Sequence, residues 1–477
     1  MTRGPINGRL LALTAVVSIA ALACGGGAAT SAPARSSAPA ATSAAAETSA
    51  AATSAATSAA AETTAAASAT AAATSAAPSE SATAAATSAA PSASATAGAS
   101  SPAASGSAAP TTGSCAGAEP GPFFDQAECE EQLALRTVAA EGPADRPWEQ
   151  ALNPDLVDTA QYKKDGAQKV CFSNAGVNNP WRVVGYETMQ AEVDIQREAG
   201  KISDFVHVDA GGDDNKQISD IQDLLANGDC GALIVSPNTT AALTPAVEQA
   251  CQANIPVIVF DRGVNTDCPV TFIKPIGGYA FGADAAEFLS ASVPAGGNVL
   301  ALRILPGLDV LETRFSAAKA IFNHKGINLV GAEFTEGDPA KTKSIVTDYL
   351  QRGKLDGIWM DAGATSLGAI EAFEDAGQTV PPITGEDQQD FLRKWKDDGL
   401  TAMAPTYPTY QWRTAIIAAV KILAGEQVAK NWNLPQPKIT ADNLDQYLKP
   451  DMPDLHYALC GCETMPGFPD RWKNPAP

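Results

Sequence analysis

The first 114 of the 477 residues contain no aromatic side chain; all 14 Phe, 8 Tyr and 7 Trp lie beyond them. Without large apolar groups a segment cannot bury enough surface to offset the entropy of ordering, so a folded core is confined to residues 115–477. The overall 45% hydrophobic content is inflated in front by alanine, which buries little area. Histidine is equally scarce, with only the scattered His207, His324 and His456, which leaves little material for general-base catalysis or a histidine metal site. A Gly-x-Ser-x-Gly elbow, a phosphate loop ending in Gly-Lys-Ser/Thr and a His-Glu-x-x-His pair are all missing, so the common hydrolase, nucleotide and metalloprotease signatures have no counterpart. The acidic, Gly-rich loop 209–215 lacks the ligand spacing of an EF-hand. The expectation is a protein that is not an enzyme and holds neither metal nor cofactor.

Positive charge is also in short supply. Net charge is −21; residues 1–24 carry Arg3 and Arg9 without an acid, and residues 25–114 carry Arg35 against Glu47, Glu62 and Glu80. These contributions cancel, so the whole excess falls on residues 115–477. A surface that acidic repels phosphate backbones, and nucleic acid is excluded as a partner.

What the N-terminus does contain is an export address. Arg3 and Arg9 precede an apolar run from 10 to 23 that ends in Ala23-Cys24 before Gly25-Gly26-Gly27. A charged start, a short apolar stretch and small residues at the cut make a secretory signal, too short to span a bilayer comfortably. The cysteine at the cut makes the segment similar to a bacterial lipoprotein signal, which implies that Cys24 is acylated and that the chain is exported and lipid-anchored on the outer face of the membrane. Residues 25–114, almost wholly Ala, Ser, Thr, Pro and Gly, read as a solvated tether with a root-mean-square span of roughly 50 Å.

Eight further cysteines, Cys115, Cys129, Cys171, Cys230, Cys251, Cys268, Cys460 and Cys462, form an even set suited to disulfides in an exported domain. Cys115 and Cys129 are placed to staple the start of the domain. Cys230, Cys251 and Cys268 are placed to pair locally, and Cys171, inside a strand, reads as a buried free thiol. Cys460-Gly-Cys462 has no second pair at zinc spacing.

From residue 169 onward short apolar runs alternate with amphipathic stretches. Runs at 169–173, 204–208, 231–235 and 255–260, and again at 298–303, 327–330, 356–360 and 382–384, are separated by helical spacing, and a last long helix lies near 410–423. This predicts an α/β fold with two doubly wound parallel-sheet lobes. In such sheets ligands sit beyond the carboxyl ends of strands.

At those ends stand Asn178-Asn179-Pro180-Trp181, Ser236-Pro237-Asn238, Asp261-Arg262-Gly263 and Gly385-Glu386-Asp387, with Leu367-Gly368-Ala369-Ile370 on a later helix. In this order the set resembles the type I periplasmic solute-binding proteins, the ribose/galactose-like branch that serves ATP-binding-cassette importers, over roughly residues 167–430. The resemblance implies three hinge crossings, near 275, 406 and 434. It divides the folded part into an N-terminal extension (115–166), a first lobe (167–275 with 407–433) and a second lobe (276–406 with 434–477). It also implies a pocket. Asn179 supplies an amide, Trp181 a stacking ring, Asp261 and Arg262 a charged pair for sugar hydroxyls, and Arg314 and Asp387 their second-lobe counterparts. The family's asparagine falls at Ala362, with Asp361 expected to take over its hydrogen bonding, and the family's glutamine falls at Thr406.

Forked charged groups suit vicinal hydroxyls and an aromatic face suits the C–H side of a sugar. The implied function is therefore a monomeric lipoprotein that captures a monosaccharide or similar polar solute by hinge closure and passes it to a membrane permease. The alternative is a sensory receptor that reports such a ligand to a membrane signalling protein. On this reading, replacing Asp261 or Arg262 by alanine should abolish binding while leaving the ligand-free melting temperature little changed.

Overall fold

A computed structural model describes Cys115, residues 123–363 and 365–473, and Pro475; the signal, Cys24 and the tether lie outside the described residues. An N-terminal helix, α1 (Gln126–Leu135), starts at Asp125, whose carboxylate accepts the Glu128 N–H. The first lobe follows with β1 (Gln168–Asn174), α2 (Pro180–Glu198), β2 (Ile202–Asp209), α3 (Asp214–Asn227), β3 (Ala232–Ser236), α4 (Thr240–Gln252), β4 (Val257–Phe260) and β5 (Thr271–Pro275). The second lobe begins with α5 (Gly278–Ser292), β6 (Asn298–Arg303), α6 (Asp309–Lys325) and β7 (Asn328–Phe334). It continues with α7 (Pro339–Arg352), β8 (Gly357–Met360), α8 (Ser366–Asp375), β9 (Ile383–Thr384), α9 (Gln389–Asp398) and β10 (Ala402–Pro405). Then come α10 (Gln411–Ala424), β11 (Asn431–Leu434) and β12 (Lys438–Ile439).

Each lobe is a six-stranded sheet. The first runs β11-β5-β4-β3-β1-β2 and is parallel throughout; the second runs β7-β6-β8-β9-β10-β12, with only β12 antiparallel. The central strands β3, β4 and β8 are buried at every residue, which is why they read as unbroken apolar runs rather than alternating ones. The chain passes between the sheets after Pro275, between β10 and α10, and between β11 and β12. Helix α10 packs against α2 so closely that a Cβ on Gly185 would stand 2.3 Å from the Trp412 ring. Trp359 is fully buried in the second-lobe core.

The ends of the chain depart from expectation. The tail was expected on the second lobe from residue 434, but only its first part stays there. Met452, Tyr457, Cys460, Cys462, Met465 and Trp472 join the first-lobe core, with Trp472 Nε1 donating to Thr188 Oγ1 on α2 at 3.0 Å and Arg471 paired with Glu187. The physical reason is that these bulky side chains find an apolar face on α2 and α10. The N-terminal extension, for which the sequence offered no role, bonds to both lobes. Its α1 lies on α5, while Trp148 O accepts from Thr414 Oγ1 and Gln150 O from Trp432 Nε1 in the first lobe. The two ends meet where Gly461 lies against the Trp148 ring and the Arg413 guanidinium donates to Gly461 O at 2.7 Å.

Four disulfides join Cys115–Cys129, Cys171–Cys230, Cys251–Cys268 and Cys460–Cys462. Cys171 is therefore not a free thiol: β1 faces the loop that leads into β3, and the buried sulfur meets Cys230 there. His456 lies with Cys460 and Cys462, ligand atoms within 4.8 Å of one another, but both sulfurs are spent on their mutual bond. Among the described residues no helix is long and apolar enough to cross a membrane.

Candidate functional site

Of the expected pocket residues, Asp261, Arg262, Asp361, Asp387 and Thr406 follow strands, Asn179 and Trp181 open α2, and Arg314 lies on α6; nearly all are bonded within the chain. Asn179 is the N-cap of α2, its side-chain oxygen accepting the Arg182 N–H at 2.9 Å, with Pro180 in the first turn. This turn presents the next two residues inward. Trp181 donates from Nε1 to Tyr407 O at 2.9 Å. Arg182, which the sequence reading passed over, is 2% exposed. It donates to Asn174 Oδ1 and Ser236 Oγ, both at 3.2 Å, and to Asp261 Oδ2 at 2.7 Å, with its guanidinium near the faces of Trp181 and Trp412. Burial, reinforced by the neighbouring Arg262, lowers its pKa to about 10.

Asp261 also accepts from Tyr407 Oη at 3.1 Å. Its backbone is left-handed, with φ of 70°, a conformation that costs a non-glycine residue roughly 1–3 kcal/mol and persists where surrounding contacts enforce it. Arg262 turns aside and donates to Asn238 O at 2.5 Å.

The second-lobe groups continue the same network. The Arg314 guanidinium lies 4.5 Å from the Tyr407 ring centroid, donates to Asp361 O, and pairs with Glu386 at 3.2 Å. Glu386 in turn accepts from Tyr457 Oη at 3.2 Å. Asp387 accepts the N–H groups of Tyr407 (3.0 Å) and Leu459 (3.1 Å). Asp361 does not offer its carboxylate to the junction but accepts the Ile304 N–H at 3.0 Å, and Thr406 donates to Pro437 O at 2.6 Å. Burial raises the pKa of both Asp361 and Asp387 to about 7 and raises that of Glu386. A continuous line, Arg182–Asp261–Tyr407–Arg314–Glu386–Tyr457, thus runs through the centre between the lobes, with Arg314 Nε left without a partner. The sequence signal for its other two charged members was a place beside an expected residue, Arg182 after Trp181 and Glu386 before Asp387; Tyr457 carried no such signal.

Open volume lies to one side. A cavity of about 580 Å³ is bounded by Thr239 and Thr240 at the start of α4, by Asp261, by Asp309 and Thr313 on α6, and by Lys274. Of the residues expected in the pocket, Asp261 alone borders it. Asp309 joins the lobes across its floor, accepting the Gly263 N–H at 3.2 Å, and burial raises its pKa. The rings of Phe272 and Tyr407 supply apolar wall. The volume falls within the roughly 300–1,000 Å³ typical of small-molecule sites. Hydroxyls, carboxylates and an ammonium beside ring faces can bind a compact, many-hydroxyl solute.

Comparisons with known proteins agree with the fold. A periplasmic binding protein domain family matches residues 170–427. The ribose import binding protein RbsB of Bacillus subtilis (strain 168) is 28% identical over 266 residues, 55% of this chain and 84% of the relative. The xylitol-binding protein of Mycolicibacterium smegmatis is 24% identical over 268 residues, 53% of this chain and 73% of the relative. Among solved structures, an ABC transporter solute binding protein from Thermobispora bispora DSM 43833 superposes with a TM-score of 0.54 at 24% identity, covering 60% of this chain and 89% of its own. Another, from Bacillus halodurans C-125 with bound myo-inositol, gives 0.54 at 19% identity, covering 60% and 98%. With the matched segment spanning both sheets and every crossing but the last, the chain belongs to the periplasmic binding protein domain family.

Proposed function

We propose that this protein captures a sugar or sugar-like polyol between its lobes and delivers it to the permease of an ATP-binding-cassette importer, without chemical change to the solute. The observation that carries this reading is the interlobe cavity of about 580 Å³, walled by hydroxyls, carboxylates and aromatic rings in a two-lobed fold whose relatives include ribose- and xylitol-binding proteins. Both lobes contribute to the walls, so a bound solute links them and closure follows from its differential contacts with the open and closed forms. Asp261, bordering the cavity from the first lobe, is the pocket group we assign to ligand contact; Asn179, Trp181, Arg262, Arg314, Asp361, Asp387 and Thr406 hold the frame around it. Acylation at Cys24 would keep the monomeric domain at the outer face of the membrane, within reach of the permease.

A thermal-shift panel of ribose, arabinose, xylitol and myo-inositol tests the reading. A solute bound only by the folded state raises stability by about 2.7 kcal/mol at a hundred times its Kd, so at least one member should raise the melting temperature in a concentration-dependent way. Silence across the panel, with no shift at millimolar concentration, would sink it.

A further inference from the structure

The N-terminal extension lies wholly outside the matched family segment, yet it closes the outer side of the interlobe cavity with Phe123, Phe124, Asp125, Glu128 and Gln132. Its placement there is built rather than incidental. Glu128 accepts from Lys274 Nζ at 2.7 Å and from Gln132 Nε2 at 2.9 Å, while Gln132 Oε1 accepts the Tyr279 N–H at 2.9 Å. Tyr279 Oη donates to Phe123 O at 2.9 Å and accepts the Asp125 N–H at 2.8 Å. The segment is thereby fixed to β5 in the first lobe and to α5 in the second, and the Cys115–Cys129 disulfide ties α1 to the chain before it.

We propose that residues 123–132 are part of the ligand site, with the Lys274 ammonium as a hydroxyl-binding group, and that the solute sits in this flanking cavity instead of displacing the Arg182–Asp261–Tyr407–Arg314 line. This rests on the reading of the protein as a sugar or polyol binder. An ammonium carries three donors, and Glu128 takes one of those on Lys274, leaving donors for vicinal hydroxyls. The same ammonium stands over the Phe272 ring, 5.1 Å from its centroid, so the ring holds the cation at the cavity wall. At the centre of the junction the guanidinium and carboxylate groups are buried and bonded to each other, and removing one partner from such a pair leaves the other uncompensated.

The test uses the full chain and whichever of ribose, arabinose, xylitol or myo-inositol raises its melting temperature most. Lys274→Met and Phe123→Ala are each expected to weaken binding of that solute by about ten-fold or more, with the ligand-free melting temperature of Lys274→Met lowered only by the loss of its partly exposed Glu128 ion pair. Hydrogen exchange should show solute-dependent protection in 123–132. Affinity within about two-fold of the parent in both variants, or protection confined to 174–182 and 384–387, would overturn the assignment of this wall while leaving the sugar reading intact. Silence of the whole panel defeats the sugar reading, and this inference falls with it.

Discussion

Arg182 and Asp261 bond to each other at 2.7 Å with side chains only 3% and 6% exposed. The group expected to grip a ligand is thus first of all the counter-charge of a buried arginine. Asp261→Ala should therefore lower the ligand-free stability by about 3–5 kcal/mol, because the guanidinium is left unpaired in a dry site, whereas the sequence alone suggested little change. Denaturant unfolding of Asp261→Ala, Arg182→Met and the double variant measures this. The double variant should recover part of the single losses, and strictly additive losses would show that the pair has no coupling.

Gln132 serves as a remote cap. Helix α5 begins at Gly277, which has no side chain to offer and a φ of 132°, and the Gln132 oxygen accepts the Tyr279 and Ala280 N–H groups in its place. Gln132→Ala should cost about 1–2 kcal/mol; Gln126→Ala, whose partner Glu130 lies on the exposed face of α1, should cost only a few tenths. Equal melting temperatures for the two variants would contradict the capping role.

The strand and helix order was legible because β3, β4 and β8 are covered on both faces and so spell unbroken apolar runs. The placement of Asn179, Asp261 and Asp387 at strand ends was legible for the same reason. Their bonding was not: whether Asp261 meets a solute or Arg182 depends on a side chain from another element, and Arg182 in the sequence is only one more charge in a first helical turn. The extension escaped reading because its partners, Tyr279, Lys274 and Thr414, are more than 140 residues away in the chain.

Loop length ranks the disulfides. Cys171–Cys230 closes 59 residues and Cys251–Cys268 closes 17, which in the chain-entropy account correspond to about 4 and about 3 kcal/mol. Paired alanine substitutions should lower the melting temperature more at the first than at the second, as calorimetry would show; the reverse order would mean that loop closure does not govern their contribution.

His456 is 1% exposed and neither ring nitrogen has a hydrogen-bond partner; burial lowers its pKa to about 4. An unfolded histidine takes its proton near pH 6.5, so stability should be lost as pH falls from there toward 4, by on the order of 3 kcal/mol. Asp361 and Asp387, raised to about 7, act in the opposite sense: their contribution is complete in acid and is lost as pH rises through 7. Comparing the parent with His456→Leu at each pH isolates the imidazole, and the difference between them should change across pH 4–6.5. A pH-independent difference would contradict the assignment.

Cys24 is expected to carry the lipid. Cys24→Ala should release the protein from the membrane fraction; retention of the variant at the membrane would refute the anchor.

The meeting of Trp148 with Gly461 joins the two segments that flank the matched stretch. The helix that opens the second lobe is capped from residue 132, and Asp387 at the junction accepts the N–H of Leu459, so both of these partners of the matched segment 170–427 lie outside it. A fragment cut to the family's limits would expose the apolar face of α2 and α10 and leave a helix end bare, and so should collapse to an aggregation-prone state. Shared ancestry delimits one stretch of this chain, and the bonds that complete its core reach beyond it, to Gln132 on one side and Trp472 on the other.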